Sequence, residues 1–130
     1  MFNDLTSIKK RNEIALGFAI SYFTISNYNI LLPTSDSQDY DLVIEKDNIF
    51  SKVQLKTTSQ LNENGKAYKV NLRVTGGNYG HTLKLAADQS YDLLFIVTEK
   101  KDLYLIPKID LTTSHSITLT NTYSKYKINF

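Results

Sequence analysis

The sequence has no cysteine, which excludes thiol catalysis, a disulfide framework and a Cys-ligated zinc site. Its two histidines, His81 and His115, are too few for a His-based metal site from one chain and read as surface residues. Only two prolines occur, Pro33 and Pro107, and each follows an apolar run, where it stops a strand. No apolar run approaches the ~18 residues that span a bilayer. Met1-Phe2-Asn3-Asp4 lacks the basic-then-apolar layout of a signal peptide, so the expected location is the cytoplasm, with no membrane partner. Linkers, repeats and low-complexity stretches are missing too. So is an excess of one charge: 15 basic residues face 13 acidic ones, a net +2 that does not by itself point to nucleic acid.

What is present is a chain of 130 residues, 42% hydrophobic, the size of one ordinary domain over 1–130. Such a chain buries roughly two-thirds of its unfolded surface, enough for one core without disulfides. Charge is distributed unevenly. Asp36 to Asp47 holds five acids and one lysine, whereas Lys9-Lys10-Arg11 is purely basic. Contact with nucleic acid would therefore use a local face.

Residues 5–27 read as a long helix, with Asp4, Thr6 or Ser7 as the cap. Leu5, Ile8, Ala15, Leu16, Ala19, Ile20 and Phe23 fall on one arc, with Glu13 at its edge. Ile14, Phe18, Tyr22 and Ile25 form a second apolar patch. One core needs one stripe, so the second patch suggests another layer or a partner subunit. The segment from Tyr123 to Phe130 is the other candidate for partnering, and a homodimer or homotetramer is expected.

Strands are expected at 28–32, 39–45, 49–57, 67–75, 93–98 and 103–106, with 117–119 as an edge strand. Asp47-Asn48 suggests a tight hairpin, and Asn64-Gly65 marks a further turn. Gly76 to Gly80 lacks the spacing of a nucleotide cradle and reads as a flexible loop, followed by a short second helix over 82–89. The order is that of an α/β or α+β domain with a mixed sheet.

The hairpin carries the chemistry. A two-residue loop at Asp47-Asn48 pairs Lys46 with Ile49 and Glu45 with Phe50, and so sets Asp41 opposite Gln54. Side chains alternate faces along a strand, so Asp41, Gln54 and Lys56 share one face, the first two about 5 Å apart. Leu42, Ile44, Val53 and Leu55 share the other face, the core. A hard cation such as Mg²⁺ (or Mn²⁺) takes oxygen ligands and keeps several waters. Asp41 offers charge, Gln54 an amide oxygen, and a backbone carbonyl near Leu55 is also at hand. Lys56 could orient or deprotonate the attacking water and offset charge on phosphorus. Glu13 on the first helix could supply a second carboxylate. Taken alone, Lys56 reads as a solvated strand lysine and Glu13 as a surface glutamate; the shared face is what joins them.

At these positions the sequence resembles the PD-(D/E)xK nuclease superfamily in its QxK variant. The matching residues are Glu13, then Tyr40-Asp41-Leu42-Val43-Ile44, then Val53-Gln54-Leu55-Lys56-Thr57. The second block, Asp92 to Val97 with Tyr104-Leu105-Ile106-Pro107, is similar to that of small group I intron-encoded homing endonucleases. Two departures stand out: Pro33 lies eight residues before Asp41, so the literal "PD" is absent, and Gln54 replaces an acid. The resemblance implies a restriction-endonuclease-like core, a mixed sheet flanked by the N-terminal helix and a short second helix. It also implies divalent-metal-dependent hydrolysis of DNA, with Glu13, Asp41, Gln54 and Lys56 catalytic and Asp41, Gln54 and Glu13 on the metal. Lys9, Lys10, Arg11, Lys69 and Arg73 are the candidates for phosphate contact. A Holliday-junction resolvase, reading DNA shape, and an inactive DNA-binding module of the same fold are the rival readings.

Overall fold

The structure, a computed structural model, describes residues 1–2, 7–73 and 88–129. Helix α1 (Ile8–Ile25) opens the fold, and Ser7 caps it by accepting the Lys10 N–H at 3.2 Å. Asp4 and Thr6, the other candidate caps, lie outside the described residues, as do Gly76–Gly80, His81 and nearly all of the expected second helix. The chain leaves α1 through Asn27 in the left-handed region (φ 66°) and enters β1 (Asn29–Leu31).

Strands β2 (Leu42–Lys46) and β3 (Ile49–Thr58) form the expected hairpin. Asp47 and Asn48 both have positive φ (54° and 65°), the requirement of a two-residue turn whose twist matches its strands. The register is the expected one: Glu45 faces Phe50, Lys46 faces Ile49 and Leu42 faces Val53. Strand β4 (Lys69–Asn71) follows, then β5 (Leu93–Thr98), β6 (Leu103–Pro107), β7 (Ser116–Thr118) and β8 (Lys127–Ile128). The main sheet has six strands in the order β1-β2-β3-β5-β6-β8 and is mixed, because β3 and β5 run parallel. Asp92 fixes the start of that parallel pair: its carboxylate accepts the Lys52 N–H at 2.8 Å, while its own N–H donates to the Lys52 carbonyl at 2.9 Å.

One expectation needs correction. Residues 117–119 do not edge the main sheet. Strand β7 pairs with β4 in a separate two-stranded ribbon, because Val70 and Ile117 together cover the second face of the sheet. In the segment 123–129, Tyr123 is buried and β8 pairs with β6.

The sheet therefore has a core on each face. Leu42, Ile44, Val53, Leu55, Phe95 and Val97 pack on Ala15, Ala19 and Phe23 of α1. Leu94, Ile96, Tyr104 and Ile106 pack under the ribbon with Val70, Leu72, Ile117 and Tyr123. The two apolar patches of α1 prove to be one broad face: Ile14, Phe18 and Tyr22 pack against the same core as Ala15 and Ala19. Ile8 and Ile25, at the two ends of the helix, are exposed, and so is Ile20. Phe23 is the main anchor of the helix, with rings of Tyr22, Tyr28 and Phe95 at 5.2–5.7 Å. Phe23→Ala should cost about 3–5 kcal/mol, seen as a lower urea midpoint at unchanged slope.

Candidate active site

The site forms where β2 parts from β3. Their last ladder pair is Leu42 with Val53, yet β3 runs on to Thr58 as a ladder with β5. Asp41 bridges the opening. Its N–H donates to the Val53 carbonyl at 2.8 Å, and its Oδ2 accepts the Leu55 N–H at 2.8 Å, standing in for the next carbonyl of a ladder that has ended. Asp41 thus stands beside Gln54, as the register reading required. The Leu55 carbonyl receives the Gln54 Nε2 at 3.5 Å. Gln54 Oε1 keeps no partner among the described residues.

Asp41, Gln54, Leu55, Lys56 and Thr57 line a cleft of about 700 Å³. The first turns of α1 form another part of its wall through Ile8, Lys9, Asn12, Glu13 and Leu16, and Asn71 and Arg73 reach it from the ribbon. A second groove, of about 530 Å³, lies between the 62–67 turn and residues 119–127; its lining contains no carboxylate and includes Lys66 and Lys127. Among the described residues, no three His, Cys, Asp or Glu side chains gather as a metal cluster. At the β2–β3 opening itself the oxygen donors are mixed: the Asp41 carboxylate, the Gln54 amide oxygen and the Leu55 carbonyl, with Glu13 and Asp36 as further carboxylates in the cleft lining.

Glu13 lines the cleft, but its Oε2 is paired with Lys10 Nζ at 3.1 Å, and both side chains are more than half exposed. A pair so placed is held weakly. Lys9 lines the cleft with no partner among the described residues. Arg11 faces elsewhere: it donates to the Phe2 carbonyl at 3.1 Å and lies over the Phe2 ring, tying down the start of the chain. Lys69 is exposed on β4, outside the cleft lining. Of the five expected phosphate contacts, the structure brings Lys9 and Arg73 to the cleft and sets Lys10 beside it. Asp36, Asn12 and Asn71 are cleft residues that the sequence reading did not single out. The acid-rich run at 36–47 was the one available signal for Asp36.

The electrostatics are those of charges crowded by protein. Asp41 can be reached by water through the mouth of the cleft, but the protein around it raises its carboxyl above the usual range. The Leu55 N–H and the Lys56 charge pull it back, and Asp36 pushes it up further. Burial draws the Lys56 ammonium below the ordinary lysine range, against the attraction of Asp41. If Gln54 is a ligand, Gln54→Glu should tighten Mn²⁺ binding by roughly tenfold, the scale of a ligand-sphere change in affinity. Calorimetry on the two proteins without DNA checks this, and equal affinities would remove Gln54 from the ligand set.

Residues 6–128 match the PD-(D/E)XK endonuclease family, and the chain belongs to that family. Among solved structures it is similar to a bacterial homing endonuclease, I-Ssp6803I. The two share 25% identity and a TM-score of 0.72, over 94% of this chain and 89% of that one. No curated protein sequence matches the chain. The expected restriction-endonuclease-like architecture, a mixed sheet with the N-terminal helix on one face, is therefore present. Among the described residues, no helix is long and apolar enough to cross a membrane.

Proposed function

We propose that residues 1–130 form one nuclease unit that hydrolyses DNA phosphodiester bonds with the help of a divalent metal ion, as a homing endonuclease. The observation that supports this most is the single cleft joining Asp41, Gln54, the Leu55 carbonyl and Lys56 at the β2–β3 opening. The donors fit Mg²⁺ or Mn²⁺: all are hard oxygens, and one carboxylate suits an ion that keeps several of its waters. Asp41, Gln54 and the Leu55 carbonyl would hold the ion, with Glu13 assisting once it leaves Lys10. When bound, the ion supplies Lewis-acid polarisation and neutralises charge at the phosphate.

The chain's own residues do the rest. Lys56 orients the attacking water and places positive charge beside the phosphate oxygens as negative charge builds there. The water oxygen forms the new P–O bond and gives its proton to solvent. The sugar oxygen leaves with the electron pair of the broken P–O bond and takes up a proton. Lys9 and Lys10 hold flanking phosphates. The similarity to a bacterial homing endonuclease favours duplex DNA as the substrate over branched DNA. One cleft per chain serves one strand, so two copies, as a dimer or within a tetramer, would cut both.

The test is cleavage of a randomised duplex library and of four-way junctions, with Mg²⁺, Mn²⁺ or EDTA. Duplex cleavage to linear products, dependent on metal, is expected. Preference for junctions would indicate a resolvase, nicks alone would argue against paired copies, and binding without cleavage would overturn the enzymatic reading.

A further inference from the structure

Arg73 is a cation in the cleft whose orientation is set by the protein. Asn71 Oδ1 accepts both the Arg73 backbone N–H, at 3.0 Å, and the Arg73 Nε–H, at 3.4 Å. The base of this fork is firm. Asn71 is paired with Ser116 in the ribbon, and between Asn71 and Arg73 the Leu72 side chain is fully buried while its N–H donates to the His115 carbonyl at 2.9 Å. The Arg73 terminal nitrogens have no carboxylate or carbonyl partner among the described residues. The Asn71 and Arg73 side chains are both exposed, and the Arg73 Nε is held there by Asn71. A guanidinium held at Nε presents its remaining N–H groups as a planar pair, the shape that grips two phosphate oxygens at once. Arg73 enters from the ribbon and Lys56 from the main sheet, so two cations reach the cleft of Asp41 from separate elements.

We propose that Arg73 is a catalytic residue that grips the non-bridging oxygens of the scissile phosphate, and that Asn71 is its positioning residue. This rests on the nuclease reading above and adds to it a phosphate clamp supplied by the β4–β7 ribbon. A clamp of this kind acts most strongly when charge on the phosphoryl oxygens is greatest, in the transition state. Lysine keeps the charge but not the planar pair, so it is a poor substitute.

The experiment measures single-turnover cleavage, at saturating protein in Mn²⁺, of a duplex recovered as a substrate from the randomised library, beside affinity for the same duplex in Ca²⁺. The proteins are the parent, Arg73→Met, Arg73→Lys, Asn71→Ala and the double variant Asn71→Ala/Arg73→Met, with thermal unfolding as a check on the fold. Arg73→Met is expected to lose on the order of 10²-fold in rate, with duplex affinity changed by no more than one phosphate contact would explain. Arg73→Lys should recover only a minor part of that loss. Asn71→Ala should lose on the order of tenfold in rate through misplacement, and this loss should vanish in the Arg73→Met background, because the two residues act as one unit. A normal rate in Arg73→Met, full recovery in Arg73→Lys, or additive losses in the double variant would overturn the assignment while the nuclease reading stands. A parent protein that cuts nothing in the library would sink the nuclease reading itself, and the clamp with it.

Discussion

Asp41→Asn is expected to abolish cleavage while leaving the metal-free fold at least as stable as the parent. Asp41 is the one carboxylate at the β2–β3 opening that is anchored by the strand itself, through its Oδ2 and the Leu55 N–H. Asparagine keeps an oxygen for that bond but removes the charge. Divalent metal should then bind weakly, and the single-turnover rate should fall on the order of 10³-fold. Glu13→Gln should lose much less, because Glu13 is exposed and shared with Lys10. Stability should move the other way. Crowding raises the Asp41 carboxyl above its unfolded value, so the folded chain resists the charged form. A group raised in this way costs stability at neutral pH, and the cost fades as pH falls through the raised folded value towards the ordinary one. Asp41→Asn should therefore unfold at a higher temperature than the metal-free parent near neutral pH, and the gain should disappear in acid. Wild-type cleavage by the variant would show that the site is misassigned, whatever the melting curves do.

Lys56→Met is expected to lose on the order of 10²-fold in single-turnover rate, with DNA affinity in Ca²⁺ nearly intact. Lys56 stands two residues beyond Gln54 on the same face, inside the cleft and beside Asp41. Its desolvation makes a charge there act strongly on a nearby phosphate, where a solvated lysine would be screened. An interaction made mainly in the transition state lowers the rate more than it lowers affinity. Methionine preserves most of the stem, so packing is not the variable under test. Lys9→Met should do the reverse: weaker binding that added salt imitates, and a normal rate at saturation. Measuring both variants at two salt concentrations separates the roles. If Lys56→Met cuts normally once saturated, Lys56 is an anchor and the proposed chemistry loses its cation.

The part of the site that the sequence made legible is the part that is local. Asp47-Asn48 dictated a two-residue turn, the turn fixed the register, and the two-residue alternation of a strand brought Asp41, Gln54 and Lys56 to one face. Two facts were illegible because they depend on contacts distant in the chain. Strand β7 could join the main sheet or pair with β4, and only the shared burial of Val70 and Ile117 decides between them. Asn71 and Arg73 reach the cleft because of that ribbon, so their closeness to Asp41 cannot be seen along β4 alone. The face of α1 was misdivided for another reason. Ala15 and Ala19 are small, and the larger Ile14, Phe18 and Tyr22 beside them looked like a stripe of their own when they were its flank. Arg11, part of the basic run, meets the carbonyl and ring of Phe2 among the described residues, a contact that its place in the run does not announce.

The most direct measurement is a titration of Mn²⁺ against cleavage of duplex DNA by the parent chain and by Asp41→Asn. If the cleft at the β2–β3 opening is a metal-dependent phosphodiester hydrolysis site, the parent should cut with a rate that rises and saturates with Mn²⁺ and is abolished by EDTA. Asp41→Asn should remain inactive at every concentration. Cleavage that persists in EDTA, or that Asp41→Asn carries out at the parent rate, would contradict it.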